Sequence, residues 1–346
     1  MLADLVAAGL TDRNWRDIGF GTNPRTGTFT FSGGALRKSD SMLMSFGGGG
    51  RTWGGNEVRA LALETDAPRW FCIVKPSNAS GVRTNQSNSS AFYNPDGTPV
   101  SRHSYYAPQY NAGRDELIVY GCGPVWPMDK GKGWQVDAIP LASGGRWYPA
   151  EHYGRMYARA GGYEGNWVAQ HPVTGDVYFP SSHLIQLWNN ATGQPDAILA
   201  DTEWVDVDRG CALVDPLRSR LVRIGPRPGM GDSQIGYFDL SKRPAAYRDA
   251  PASGLPLRRA SGAGFVHDPV LDRFLYFTDL EEIYVIDPTT FAVSKLPTTG
   301  TPPVAYGAGV NGGDTAIMSR MQYVPNLKGV VIAQAFDKPV YFLRTA

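Results

Sequence analysis

The chain has 346 residues, enough for one large domain or two ordinary ones. Its 41 glycines, 26 prolines, 9 tryptophans and 17 tyrosines make it too rich in turn formers and strand-favouring aromatics for a helical protein, and it is too hydrophobic for a disordered one. With 33 Lys and Arg against 32 Asp and Glu, no global field gathers phosphate backbones, which disfavours nucleic acid as a partner.

Residues 1–10 form a short apolar stretch broken by Asp4 and carry no basic leader, and no later run approaches the roughly 20 apolar residues of a membrane span. The expectation is a soluble chain without a standard signal peptide and without membrane insertion. The next segment, 14–18, reads as a strand around Trp15 with no partner close by in sequence. From there a pattern recurs: a short apolar strand ends in a Pro or Asp turn, a hydrophobic strand follows, and a third strand of alternating or aromatic character comes after it.

The first copy is divergent, with 41–46 as its second strand, 58–63 as its third and 69–73, around Trp70, as its fourth. The next places 105–108 before 116–120 and uses 146–148, around Trp147, as its fourth strand. Further copies pair 168–172 with 176–179, 212–216 with 220–224, 265–269 with 273–277, and 322–325 with 329–333. Third strands follow at 235–240 and 283–287. The last copy ends at 341–344, one strand short. Repetition every 40 to 50 residues or so is the mark of propeller blades. The spacing predicts a single all-β propeller spanning 1–346, of six four-stranded blades at about 30–74, 101–149, 161–201, 209–250, 260–297 and 316–346. Residues 1–24 supply the missing strand, and closing the ring in this way removes two exposed edges.

Three features are similar to the kelch repeat, the propeller family that includes the galactose-oxidase central domain. Phe46 is followed by four glycines (47–50), Asn56-Glu57-Val58 precedes the third strand with Trp70 on the fourth, and Arg102-His103-Ser104-Tyr105 opens the next blade. The likeness runs over about residues 40–125, and the later blades lack the glycine pair. The wider combination also resembles kelch-like proteins met in bacterial and phage genomes, a group without a settled activity, so it implies a fold and no reaction.

Adjacent strands of a blade run in opposite directions, so one-to-two and three-to-four connections share one face and the remaining connections share the other. The one-to-two turns are tight, as at 172–175, 216–219 and 326–328. Long loops at 47–55, 76–100, 124–133, 149–165, 226–233 and 298–315 fall opposite. Binding residues favour loops on a rigid scaffold. The candidates on that face are Arg51 and Trp53, a guanidinium and a stacking ring for a glycan, and His152, Tyr153 and Arg155, able to hydrogen-bond sugars or carboxylates. The alternative for each is packing between blades. Arg102, Arg209 and Arg320 open inner strands and offer either an anion ring at the channel mouth or, as the kelch pattern implies for Arg102 and His103, bonds between blades. Asp40 and Asp268 read as caps of strand reversals, and Cys72, Cys122 and Cys211 as buried small hydrophobes.

The expected function is a non-catalytic binding or structural propeller, such as a tail or capsid-associated phage component, contacting protein neighbours in an assembly or a surface glycan. No cofactor or metal is expected. The alternative is a polysaccharide lyase or hydrolase using His152, Tyr153 and Arg155 as base, acid and carboxylate neutraliser. A copper radical enzyme with a crosslinked cysteine is the remaining reading, for which no ligand set can be matched.

Overall fold

A computed structural model describes residues 14–17, 32–46, 56–66, 68, 70–74, 92–121, 134–143, 145–156, 167–181, 184–201, 210–226, 233–257, 262–277, 282–300, 317–333 and 340–346. These form six small sheets, the blades of a six-bladed β-propeller. The N-terminal strand β1 (Asn14–Asp17) precedes blade I, which runs from the axis outward through β2 (Gly34–Arg37), β3 (Met42–Phe46), β4 (Val58–Ala62) and β5 (Trp70–Val74). Blade II follows with β6 (Pro108–Asn111), β7 (Glu116–Tyr120), β8 (Trp134–Pro140) and β9 (Arg155–Met156). Blade III has β10 (Ala169–Gln170), β11 (Val177–Ser181), β12 (Leu184–Asn189) and β13 (Gln194–Asp201), and blade IV has β14 (Cys211–Asp215), β15 (Arg220–Pro226), β16 (Ser233–Asp239) and β17 (Tyr247–Asp249).

The last two blades gain a fifth strand. In blade V, β18 (Ser253–Gly254) lies parallel on the outermost strand of β19 (Gly264–Asp268), β20 (Arg273–Phe277), β21 (Ile283–Ile286) and β22 (Ala292–Lys295). In blade VI, β23 (Thr299–Gly300) precedes β24 (Met321–Val324), β25 (Gly329–Ala333) and β26 (Val340–Arg344). There β1 is the fourth strand. It pairs antiparallel with β26, Trp15 opposite Leu343 and Asp17 opposite Tyr341, and takes β23 in parallel on its other side. The N-terminal segment therefore closes the ring.

Sequence explains why the middle strands hold the molecule together. Every residue of β3, β7 and β25 is buried, because each lies between two neighbouring blades, and such strands read as continuous apolar runs. The outer strands β5 and β22 are mostly exposed or half-buried. Blades I and VI meet through Leu36, Leu43 and Trp70 against Leu327, Val331 and Phe342. Blades V and VI meet through Leu275 and Phe277 against Val330 and Leu343. Burial of a side chain of this size contributes about 1.5–3 kcal/mol.

A girdle of polar bonds on the face of the tight turns, the turn face, ties blade to blade. Arg37 donates to Asp115 (3.2 Å), Arg114 to the Asn190 carbonyl (2.6 Å), Arg218 to Asp272 (2.6 Å), Arg273 to the Thr345 carbonyl (3.1 Å), and Asn326 to Glu64 (2.7 Å). The Asp-Pro turns are capped as expected. Asp215 Oδ1 accepts from the N–H groups of Leu217 and Arg218, and Asp268 Oδ1 from those of Val270 and Leu271.

Asp272 carries a pH dependence. Hydrogen bonds from Arg218, aided by His267 at 3.1 Å, hold its carboxyl below the usual carboxylate range. A depressed folded-state value stabilises fully above the unfolded value and loses that contribution as pH falls through the folded one. Melting temperature should drop on acidification below about pH 4, and Asp272→Asn should flatten that drop. An Asp272→Asn protein with an unaltered acid profile would show that the pair does not contribute.

Candidate functional site

The long-loop mouth of the axis is built by the segments that lead into the first strands. First strands of neighbouring blades meet around the axis, β2 with β6, β10 with β14, β14 with β19, β19 with β24 and β24 with β2. Blades II and V stand opposite each other. Across the gap the Tyr106 hydroxyl donates to the Ala263 carbonyl at 2.8 Å, and burial pushes that phenol far above its ordinary value. Ser319 Oγ donates to the Tyr105 carbonyl (3.2 Å) and accepts from Gly34 N–H (2.9 Å), while Ser104 Oγ accepts from Gly33 N–H (3.0 Å). Gly33 is required here, since a Cβ would lie 1.8 Å from the Tyr105 carbonyl oxygen. Tyrosine and serine thus close the axis at this mouth.

This closure decides the arginines. Arg102 is fully buried: it donates to Asp137 at 2.6 Å and to the Val119 carbonyl at 3.2 Å, and lies over the Phe46 ring. Arg320 is 1% exposed and donates to the carbonyls of Ala333 (2.8 Å) and Ser32; burial pushes its pKa down to about 9. An anion ring at the mouth is therefore corrected for these two, whose guanidiniums turn inward to carbonyl groups at the ends of second strands. Arg209 lies outside the described residues. His103 Nδ1 sits 2.9 Å from the Tyr105 hydroxyl.

The other residues of the repeat signature are structural as well. Asn56 and Asn94 each donate to Thr98 Oγ1 and the Pro99 carbonyl, pinning the connection into blade II through the Asp96-Gly97 turn. Glu57 and Arg59 form a buried ion pair. Cys211 is buried as expected, Cys72 is exposed instead, its place on the outermost strand β5 leaving it uncovered, and Cys122 lies outside the described residues.

Arg51 and Trp53 lie outside the described residues, as do most of the long loops. His152, Tyr153 and Arg155 are placed, and the structure moves them. The strand expected at 146–148 is only the first leg of the fourth strand: Tyr148 N–H donates to the Ala138 carbonyl, and Arg155 pairs with Gln135. Seven steps along the outer chain thus match three along β8, so four extra residues bulge out, turning at Glu151 (φ 62°) and Gly154 (φ 69°). The trio belongs to this bulge on the rim of blade II, not to a loop leading into blade III.

Within the bulge the side chains part company. Tyr153 is 7% exposed; its hydroxyl donates to Glu116 Oε2 (2.6 Å) and accepts from Arg114 (2.8 Å), and its ring meets Trp188 of blade III edge-on. Burial first, and Glu116 second, push its pKa up to about 12, so it keeps its proton at neutral pH. Tyr148 donates to the other Glu116 oxygen at 2.8 Å. His152 is exposed and stacks on Tyr148 with centroids 4.1 Å apart. Arg155 pairs with Glu151 and lies over the Phe92 ring at 4.7 Å. The missed residue is Glu116, a carboxylate buried at a strand start, where sequence shows only the first position of Glu-Leu-Ile-Val-Tyr. Among the described residues no group of three or more His, Cys, Asp or Glu is placed to hold a metal ion.

No family model matches the chain, and no curated protein matches it. Among solved structures it is similar to an auxiliary nutrient binding protein from Bacteroides thetaiotaomicron, with a TM-score of 0.50 at 12% identity. The match covers 94% of this chain and 69% of that one. At that identity the two share a fold, the propeller reached above from the strand pairing.

Proposed function

We propose that the chain is a kelch-like, non-catalytic binding propeller that contacts protein neighbours in an assembly, such as a phage particle, or a surface glycan, through its long-loop face. The observation that carries this reading is the closed axis: the Tyr106 bridge to Ala263 ties blade II to blade V, and the inward arginines spend their donors inside the fold, Arg102 on Asp137 of its own blade and Arg320 on the carbonyls of Ala333 and Ser32. Arg51 and Trp53, in a glycine-rich segment of the sequence expected on that face, are the candidate ligand contacts. The fold relative's described role, nutrient binding, is binding as well.

The test is a glycan array and a capture experiment with the intact assembly, run on the protein and on Arg51→Ala and Trp53→Ala. Each variant should bind at least about tenfold more weakly with its melting temperature nearly unchanged, because exposed loop substitutions alter stability by less than about 0.5 kcal/mol. Binding retained by both variants, or sugar turnover yielding unsaturated products, overturns the reading.

A further inference from the structure

Beyond the Tyr106 bridge, the axis continues toward the turn face. The third residue back from the tight turn stands at one level in all six first strands: Ala35, Gln109, Ala169, Leu213, Val266 and Gln322. Gln109, Val266 and Gln322 are half-buried, yet the residues opposite them on the second strands, Ile118, Leu275 and Val331, are fully buried. Paired residues of an antiparallel sheet point to the same side. Water therefore reaches the three along the axis and not from the outer part of the blades. It does not enter by the long-loop mouth, because the first-strand residues two positions nearer that mouth are buried in every blade and the Tyr106 side chain crosses there to Ala263.

The two glutamines are held in one orientation. Gln109 Nε2 donates to the Tyr106 carbonyl (2.9 Å), and Gln322 Nε2 donates to the carbonyls of Ser319 (2.7 Å) and Gly34 (3.4 Å). The reverse amide orientation would press oxygen against oxygen, so both nitrogens are committed and both Oε1 atoms remain as acceptors. Among the described residues no donor reaches either oxygen. Because each Nε2 is drawn toward the long-loop mouth, each Oε1 lies on the turn-face side of its amide.

The lining has two sides. Gln322, Ala35 and Gln109 follow one another on blades VI, I and II, while Leu213 and Val266 stand across from them on blades IV and V. One phenol and a hydrogen bond span the axis at the Tyr106 level. At the glutamine level no ring projects and both amides fold back on their own segments, which leaves room for a molecule built on a single six-membered ring.

We propose that the axis on the turn-face side of Tyr106 is a blind well that binds a small uncharged cyclic polyol, such as a free monosaccharide or an inositol. Hydroxyl groups donate to Oε1 of Gln109 and Gln322, and the ligand's C–H face lies against Leu213 and Val266. No charged side chain stands at this level, so nothing there would compensate the desolvation of an ion. The well is separate from the loop rim proposed above and uses none of its residues.

Calorimetric titration of the full chain with free glucose, galactose and myo-inositol tests it, and at least one should bind. Gln109→Met and Gln322→Met keep side-chain length and remove the acceptor. Each should weaken that binding about fivefold, and the double variant more than tenfold. Val266→Phe should abolish it by placing a ring across the well; should the added ring unfold the protein, the glutamine variants decide alone. Arg51→Ala and Trp53→Ala should leave it unchanged. Absence of binding by all three probes, or an affinity unmoved in the double glutamine variant, overturns the well. Loss of binding in the Arg51→Ala or Trp53→Ala protein also overturns it, by assigning the sugar to the loop face.

Discussion

Asp137→Ala should destabilise the protein by about 3–5 kcal/mol, the cost of leaving a buried charge without its partner. Arg102 is fully buried, and it also donates to the Val119 carbonyl. Gln135 also donates to Asp137 Oδ2 at 2.6 Å, so the substitution strands an amide as well. Against a total stability of about 5–15 kcal/mol this is a large fraction. Replacing both partners by apolar residues, Arg102→Met with Asp137→Leu, should recover much of the loss, since the penalty lies in the unpaired charge. Denaturant unfolding of the three proteins checks it. An Asp137→Ala midpoint equal to that of Val173→Ala, a change at an exposed turn tip, would show that the pair is energetically silent.

The second large effect is expected from removing residues 1–20. That truncation deletes β1 and frees two backbone edges at once, the β26 side and the β23 side. Each lost backbone hydrogen bond costs about 0.5–1.5 kcal/mol net, so the total is on the order of 3 kcal/mol before any side-chain term. An open edge also invites pairing between molecules, so the truncated protein should aggregate at concentrations where the full chain stays monomeric. Comparison with a protein lacking only residues 1–12 isolates the strand from the segment before it. If the longer truncation melts with the shorter one and remains monomeric, the ring is not held by β1.

The propeller, its blade count and its closure are legible in the sequence. Strand periodicity and Asp-Pro or Pro turns are local properties: an apolar run such as Glu116 to Tyr120 can be satisfied only between two layers, and a terminal strand without a neighbour must pair somewhere. The caps at Asp215 and Asp268 were legible for the same reason, because a carboxylate two or three residues from the N–H groups it accepts is a local arrangement. The placement of the candidate residues depends instead on contacts between segments far apart in the chain. His152, Tyr153 and Arg155 are a cluster in sequence, yet a four-residue bulge in the fourth strand turned Tyr153 into the blade II–III interface and left His152 outside. A bulge changes no composition signal, so in the sequence the segment is indistinguishable from a long connection between blades. Arg102 and Arg320 likewise open inner strands, but whether a guanidinium faces the axis or a neighbouring carbonyl depends on residues far along the chain. Tyr106 bonds across the ring to Ala263, a partner 157 residues away.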